Sequence, residues 1–166
     1  DHLGTSVSLY GDTALIGAYL DDNNVQSTSG SVYVFTRSST DGGTFTQQAK
    51  LHANDAAVED YFGASVSLYG NTALIGASGD DDNGRSKSGS VYVFTRPNTD
   101  GMFTQHSKLH ANDPAADDWF GICGSLFGDT ALIGAAADDD NSKSGSGSVY
   151  VFTRSSTDGG TFTQQS

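Results

Sequence analysis

Three acidic runs carry the clearest potential for chemistry: Asp21-Asp22-Asn23-Asn24, Asp80-Asp81-Asp82-Asn83-Gly84 and Asp138-Asp139-Asp140-Asn141. Ca2+ takes about six to eight oxygen ligands, and loops rich in Asp and Asn supply them. The candidate metal ligands are therefore Asp21, Asp22, Asp80, Asp81, Asp82, Asp138, Asp139 and Asp140. Glu59, Asp60, Asp117 and Asp118 add carboxylates wherever the loops converge. The competing reading is a solvated, charged turn, because the runs lack the alternating spacing of a calcium loop.

Other reactive side chains are sparse. His52 and His110 hold the same place in two copies of Lys-Leu-His-Ala-Asn-Asp, His106 replaces Gln48, and His2 replaces an aromatic. No HExxH or comparable cluster accompanies them, so they read as strand-end residues with ordinary hydrogen bonds. Cys123 stands where the other units have Ser6 and Ser65. A nucleophilic thiol needs a base beside it, and the sequence nominates none. Tyr61 and Trp119 are the candidate ligand contacts, as loop aromatics that can face a sugar or a protein. Active sites gather unlike residues once, whereas this chain repeats the same residues. An enzyme is not expected; a propeller hydrolase or lyase is the alternative, and its sign is a cleft of unlike residues from different units.

The repetition itself fixes the organisation. Thr-Ala-Leu-Ile-Gly-Ala occurs at 13–18, 72–77 and 130–135, and Gly-Ser-Val-Tyr-Val-Phe-Thr-Arg at 30–37, 89–96 and 147–154. Three units follow, 1–59, 60–117 and 118–166, the last incomplete. The 166 residues hold 21 Gly and 2 Pro, and no window shows helical periodicity. In the second unit, strands are predicted at 64–69, 72–77, 89–96 and 103–111. Gly70-Asn71 forms a two-residue hairpin turn, with Gly11-Asp12 and Gly128-Asp129 as its counterparts. Tyr92 and Phe94 point to one face and Val91 and Val93 to the other. Phe103, Gln105, Ser107 and Leu109 share a face of the fourth strand. The small residues of Thr-Ala-Leu-Ile-Gly-Ala suit a crowded inner strand near an axis. The expected fold is all-β, with tandem four-stranded antiparallel blades stacked face to face as in a β-propeller.

Charge narrows the partners. Lys and Arg total 8 against 20 Asp and Glu, a net charge of -12. That excludes nucleic acid and an anionic membrane surface. No stretch approaches the roughly 20 apolar residues of a spanning helix, so membrane insertion is not expected. A single Cys excludes an intrachain disulfide and a multi-Cys zinc site.

Phe62-Gly63 and Phe120-Gly121, then Gly17-Ala18, Gly76-Ala77 and Gly134-Ala135, resemble the FG-GAP repeat, the blade unit of integrin α-subunit propellers and of many bacterial and algal surface proteins. Leu3-Gly4 is a weaker copy, and Tyr19, Ser78 and Ala136 stand where the family has Pro. The family's calcium loop lies between the first two strands, and here that link is Gly-Asp or Gly-Asn. Its calcium ligands therefore do not transfer. Near-identical units, an incomplete terminal unit and absent catalytic chemistry give the expectation of an extracellular or cell-surface structural module that adheres or self-assembles, as part of a fibre. Its expected partners are other copies packed head to tail, or extracellular proteins and glycans. A Ca2+-dependent glycan- or protein-binding module is the alternative.

Overall fold

The computed structural model describes residues 1–22, 26–38, 43–99, 101–139, 143–155 and 160–165. Each unit contributes one antiparallel sheet whose strands lie in chain order. The first contains β1 (Ser6–Tyr10), β2 (Thr13–Ala18), β3 (Ser31–Arg37) and β4 (Phe45–Leu51). The second contains β5 (Phe62–Tyr69), β6 (Thr72–Ala77), β7 (Ser90–Thr95) and β8 (Thr104–Leu109). The third contains β9 (Phe120–Phe127), β10 (Thr130–Ala135), β11 (Ser148–Thr153) and β12 (Thr163–Gln164). The three sheets form an open array of propeller-like blades.

The turns follow from their sequence. Tyr69 pairs with Thr72, leaving Gly70-Asn71 as the two-residue loop. Gly11, Gly70 and Gly128 have φ of 57°, 60° and 59°, while the residue after each keeps negative φ. Positive φ at the first central position is the type II′ pattern, which matches the twist of a hairpin. The Arg that closes the third strand clamps this turn. Arg37 donates to Asp12, Arg96 to Asn71 and Arg154 to Asp129, through both backbone and side chain.

Two cores lie between the three sheets. In the first, Phe62, Val66, Leu68, Ile75, Tyr92 and Phe94 pack against Leu15, Val32, Val34 and Leu51 of the preceding unit. In the second, Phe120, Leu126, Ile133, Tyr150 and Phe152 pack against Leu74, Val91, Val93 and Leu109. The middle sheet is thus buried on both faces, its Tyr-Phe face toward one neighbour and its Val face toward the other. Burying such side chains stabilises by about 1.5–3 kcal/mol each.

The structure corrects the sequence reading at two points. Phe103 belongs to the first core and Leu109 to the second, so they do not share a face. Gln105 pairs with Phe94 and Ser107 with Val93, which leaves His106 as the extra residue of a β-bulge. One extra residue inverts the alternation beyond it. Gln48 is the bulged residue in β4. The second correction concerns β6, which lies between β5 and β7 rather than at the sheet's inner edge. Its small residues serve a different purpose.

That purpose is backbone contact between units. A Cβ on Gly17 would lie 2.2 Å from the Gly63 carbonyl oxygen, and one on Gly76 only 2.0 Å from that of Gly121. The same carbonyls accept hydrogen bonds from Ser6 Oγ (2.7 Å) and Ser65 Oγ (2.8 Å). Gly63 itself, at φ 91°, would place a Cβ 2.6 Å from the Ser31 oxygen. Phe-Gly of one unit therefore lies directly on Gly-Ala of the unit before it. The Phe62 ring fills the space beside this contact and meets Tyr92 and Phe94 edge-on at 5.5 and 5.8 Å. Gly76→Ala is expected to cost about 2–3 kcal/mol in urea unfolding, because the obstacle is backbone. Gly134→Ala should cost visibly less, since a Cβ there meets the Cys123 Sγ, which can rotate away.

Candidate functional site

The acidic runs fold into internal brackets. Asp80 leaves the end of β6, is buried, and accepts from Ser90 Oγ at 2.6 Å and Tyr92 OH at 3.4 Å. Lys108 Nζ lies 2.9 Å from Asp80 and 2.9 Å from Asp55 of the preceding unit. Tyr92 OH also donates to Asp55, at 2.9 Å. The first unit repeats this with Asp21, Ser31 Oγ at 2.6 Å and Lys50 at 2.5 Å. The third repeats it with Asp138, Ser148 and Tyr150, and Asp113 accepts from Tyr150. So the first Asp of each run ties the third strand to the loop that leads into it.

The second Asp of each run closes the loop. Asp22 accepts the Thr28 N–H, Asp81 the Lys87 N–H and Asp139 the Gly145 N–H, at 2.8, 2.8 and 2.6 Å. The donors Thr28, Lys87 and Gly145 have φ of 52°, 52° and 62°. Asp82 opens a short 3-10 turn and accepts from Asn83 Nδ2. Asn23, Asn24, Asp140 and Asn141 lie outside the described residues. Among the described residues no group of three or more His, Cys, Asp or Glu is placed to hold a metal ion. Asp21 and Asp80 face lysine ammonium groups, and Asp22, Asp81, Asp82, Asp138 and Asp139 accept protein N–H or O–H groups.

Burial and charge set the titration of this bracket. Burial works against an ionised Asp55, yet the hydrogen bonds from Lys108 and Tyr92 hold it below the usual carboxylate range. Asp55 and Asp80 raise Lys108 against the same burial penalty. Burial pushes the Tyr92 and Tyr150 hydroxyls up. Asp60 is pushed up to about 6, by burial and by the charges of Asp80 and Asp55, although the Ala57 N–H donates to it. Asp118 moves up for the same reasons.

The aromatic candidates do converge. Tyr61 and Trp119 line one open groove of about 540 Å³ together with Thr5, Tyr19, Ser78 and Lys87. Tyr61 comes from the link before β5, Trp119 from the link before β9, and Tyr19 follows β2. Tyr19 meets Tyr61 edge-on at 5.7 Å and His2 at 5.8 Å. Trp119 is 44% exposed. Tyr61 and Trp119 hold φ of 59° and 57°, an unfavourable region for bulky residues. The seam between units imposes it. Tyr61 N–H donates to Thr28 O and Phe62 N–H to Ser29 O, with the same pair at Trp119 and Phe120. Gly79 makes room for the ring: a Cβ there would lie 2.6 Å from Tyr61 Cδ2.

Tyr19 and Lys87 are among the groove residues that sequence reasoning did not name as ligand contacts. A signal existed for Tyr19, which occupies the Pro position of the resemblance, where the other units have Ser78 and Ala136. His52 and His110 each place Nδ1 beside the next residue's carbonyl, at 3.1 and 2.9 Å. Cys123 is an exposed free thiol.

Stacked four-stranded blades with a Phe-Gly on Gly-Ala seam define a β-propeller-like tandem repeat. The FG-GAP repeat model matches residues 1–35, 45–94 and 103–152, and the chain belongs to that family. No curated protein matches it in sequence.

Asp60 gives a pH test. Its folded-state value lies above the ordinary 3.8, so its contribution to stability is full below about pH 4 and is lost as pH rises through 6. Comparison of wild type with Asp60→Asn in urea unfolding isolates it. The wild-type advantage should shrink by up to about 3 kcal/mol between pH 4 and pH 7. A constant difference across that range contradicts this assignment.

Proposed function

We propose that this chain is an extracellular, non-enzymatic adhesive module whose stacked blades present a row of aromatic rings to a neutral glycan. The observation that carries the reading is the meeting of Tyr19, Tyr61 and Trp119 in one open groove. Flat rings give the CH face of a pyranose an apolar platform, and aromatic residues with one wet edge suit such surfaces. Thr5, Ser78 and Lys87 supply hydrogen-bonding groups at the same groove. Among the described residues no carboxylate lines it, which favours binding over glycoside hydrolysis by paired acids. The net charge of -12 disfavours an anionic polysaccharide and leaves a neutral one. FG-GAP repeats occur typically in extracellular proteins, and no helix is long and apolar enough to cross a membrane.

Trp119 is the single tryptophan, so its fluorescence reports the groove directly. Titration with cellohexaose and chitohexaose should give a saturable change with at least one of them. Tyr61→Ala should weaken that binding on the order of tenfold. Excess EDTA should leave it intact, because among the described residues no carboxylate, His or Cys lines the groove. Flat titrations across neutral oligosaccharides would remove the glycan reading.

A further inference from the structure

The middle unit is covered on both faces, while each outer unit is covered on one. The open face of the first sheet carries Leu3, Val7, Leu9 and Phe45, with Val7 68% and Leu9 65% exposed. Their positional equivalents Phe62, Val66, Leu68 and Phe103 are buried in the first core. The open face of the third sheet carries Leu132, Val149 and Val151, with Val149 68% exposed. Their equivalents Leu74, Val91 and Val93 are buried in the second core. The two open faces are the two halves of an interface that the chain already makes twice.

We propose that a second copy of this chain docks head to tail, with its first sheet on the third sheet of its neighbour. Two further features of the internal seams run out at these faces and are completed by that docking. Tyr10 meets Tyr69 at a tilt and Tyr69 meets Phe127 edge-on, both with ring centres 5.1 Å apart, and the ladder ends at Phe127, which is 77% exposed. Tyr10 of a second copy is its next rung. Leu68 N–H donates to Ser8 Oγ and Leu126 N–H to Ser67 Oγ, at 3.0 and 2.9 Å. Ser125 holds the equivalent place on β9 and is exposed, positioned for the Leu9 N–H of the incoming copy. At Cys123 a thiol stands where Ser6 and Ser65 donate to a glycine carbonyl, so this seam has one weaker hydrogen bond than the internal ones. The contact is heterologous, since each copy uses two different faces. It rests on the blade packing and not on the groove, so failure of glycan binding leaves it untouched.

Sedimentation velocity of the 166-residue chain tests it. The average mass should rise above 17.2 kDa as concentration increases from about 1 µM to about 1 mM. Val149→Asp spoils one face and Leu9→Asp the other. Each variant alone should associate at least about 30-fold more weakly, because docking would bury an unpaired charge. Mixed together they should form a one-to-one pair, through the intact first sheet of one and the intact third sheet of the other. Both substitutions are at exposed strand positions, and Val7→Asp replaces Leu9→Asp if circular dichroism shows the latter misfolded. A mass that stays at one chain throughout overturns the proposal and leaves the faces to a different partner. Self-association of Val149→Asp alone at wild-type strength also overturns it, because that would be a symmetric contact.

Discussion

Close approach of two backbones, with no space for a methyl group between them, governs this molecule. The carbonyl of Gly63 rests on Gly17, and that of Gly121 on Gly76. Once this distance is set, the rest of the seam has little freedom. The phenylalanine before each carbonyl enters the core, the serine hydroxyl of the preceding unit donates to the carbonyl, and Gly30 and Gly89 bridge to Phe62 and Phe120. The aromatic face of one sheet and the aliphatic face of its predecessor then meet at packing distance. The small residues of the repeat are spacing elements, and the large ones fill what the spacing leaves.

The acidity of the chain is partly an internal resource. Asp21, Asp80 and Asp138 are buried, and each receives a serine hydroxyl from the third strand of its own sheet. Lys108 connects Asp80 to Asp55 and so ties two units electrostatically as well as by packing. Removing Lys108 would be costly on the Asp80 side, because that carboxylate is buried and would be left without its ion partner, whereas Asp55 is half exposed. These contacts support the aromatic groove indirectly. The loop closed by Asp81 presents the Lys87 carbonyl to the Trp119 N–H, which holds Trp119 in its left-handed conformation.

Much of the fold was legible because repetition reveals itself. Strand identity, strand order and hairpin turns follow from the Gly-Asp and Gly-Asn pairs and from β-branched runs such as Val91 to Thr95. The opposed Tyr-Phe and Val-Val faces were equally readable, since alternation in β7 is undisturbed. The fourth strand was misread because a bulge at His106 adds one residue without any glycine or proline to mark it. The convergence of Tyr61 and Trp119 was partly legible from their shared place before Phe-Gly. Tyr19 stood out only as a departure at the Pro position, and its approach to Tyr61 was hidden because it depends on the stacking of whole sheets. The acidic runs display their carboxylates in sequence, but not the hydroxyls that the structure sets beside Asp21, Asp80 and Asp138 or the lysines beside Asp21 and Asp80.

Near-identical faces also bear on how the stack assembles in the right order. The Leu15, Val32 and Val34 surface is chemically the same as the Leu74, Val91 and Val93 surface. During folding, the third sheet therefore has two equally attractive seats, and side-chain chemistry does not choose between them. The tether chooses. A short connector from β8 to β9 raises the local concentration of the adjacent seat, whereas the distant one is reachable only across an entire intervening sheet. Sequential order is thus stored in the length of the linking segments, and the interfaces themselves act as interchangeable couplings.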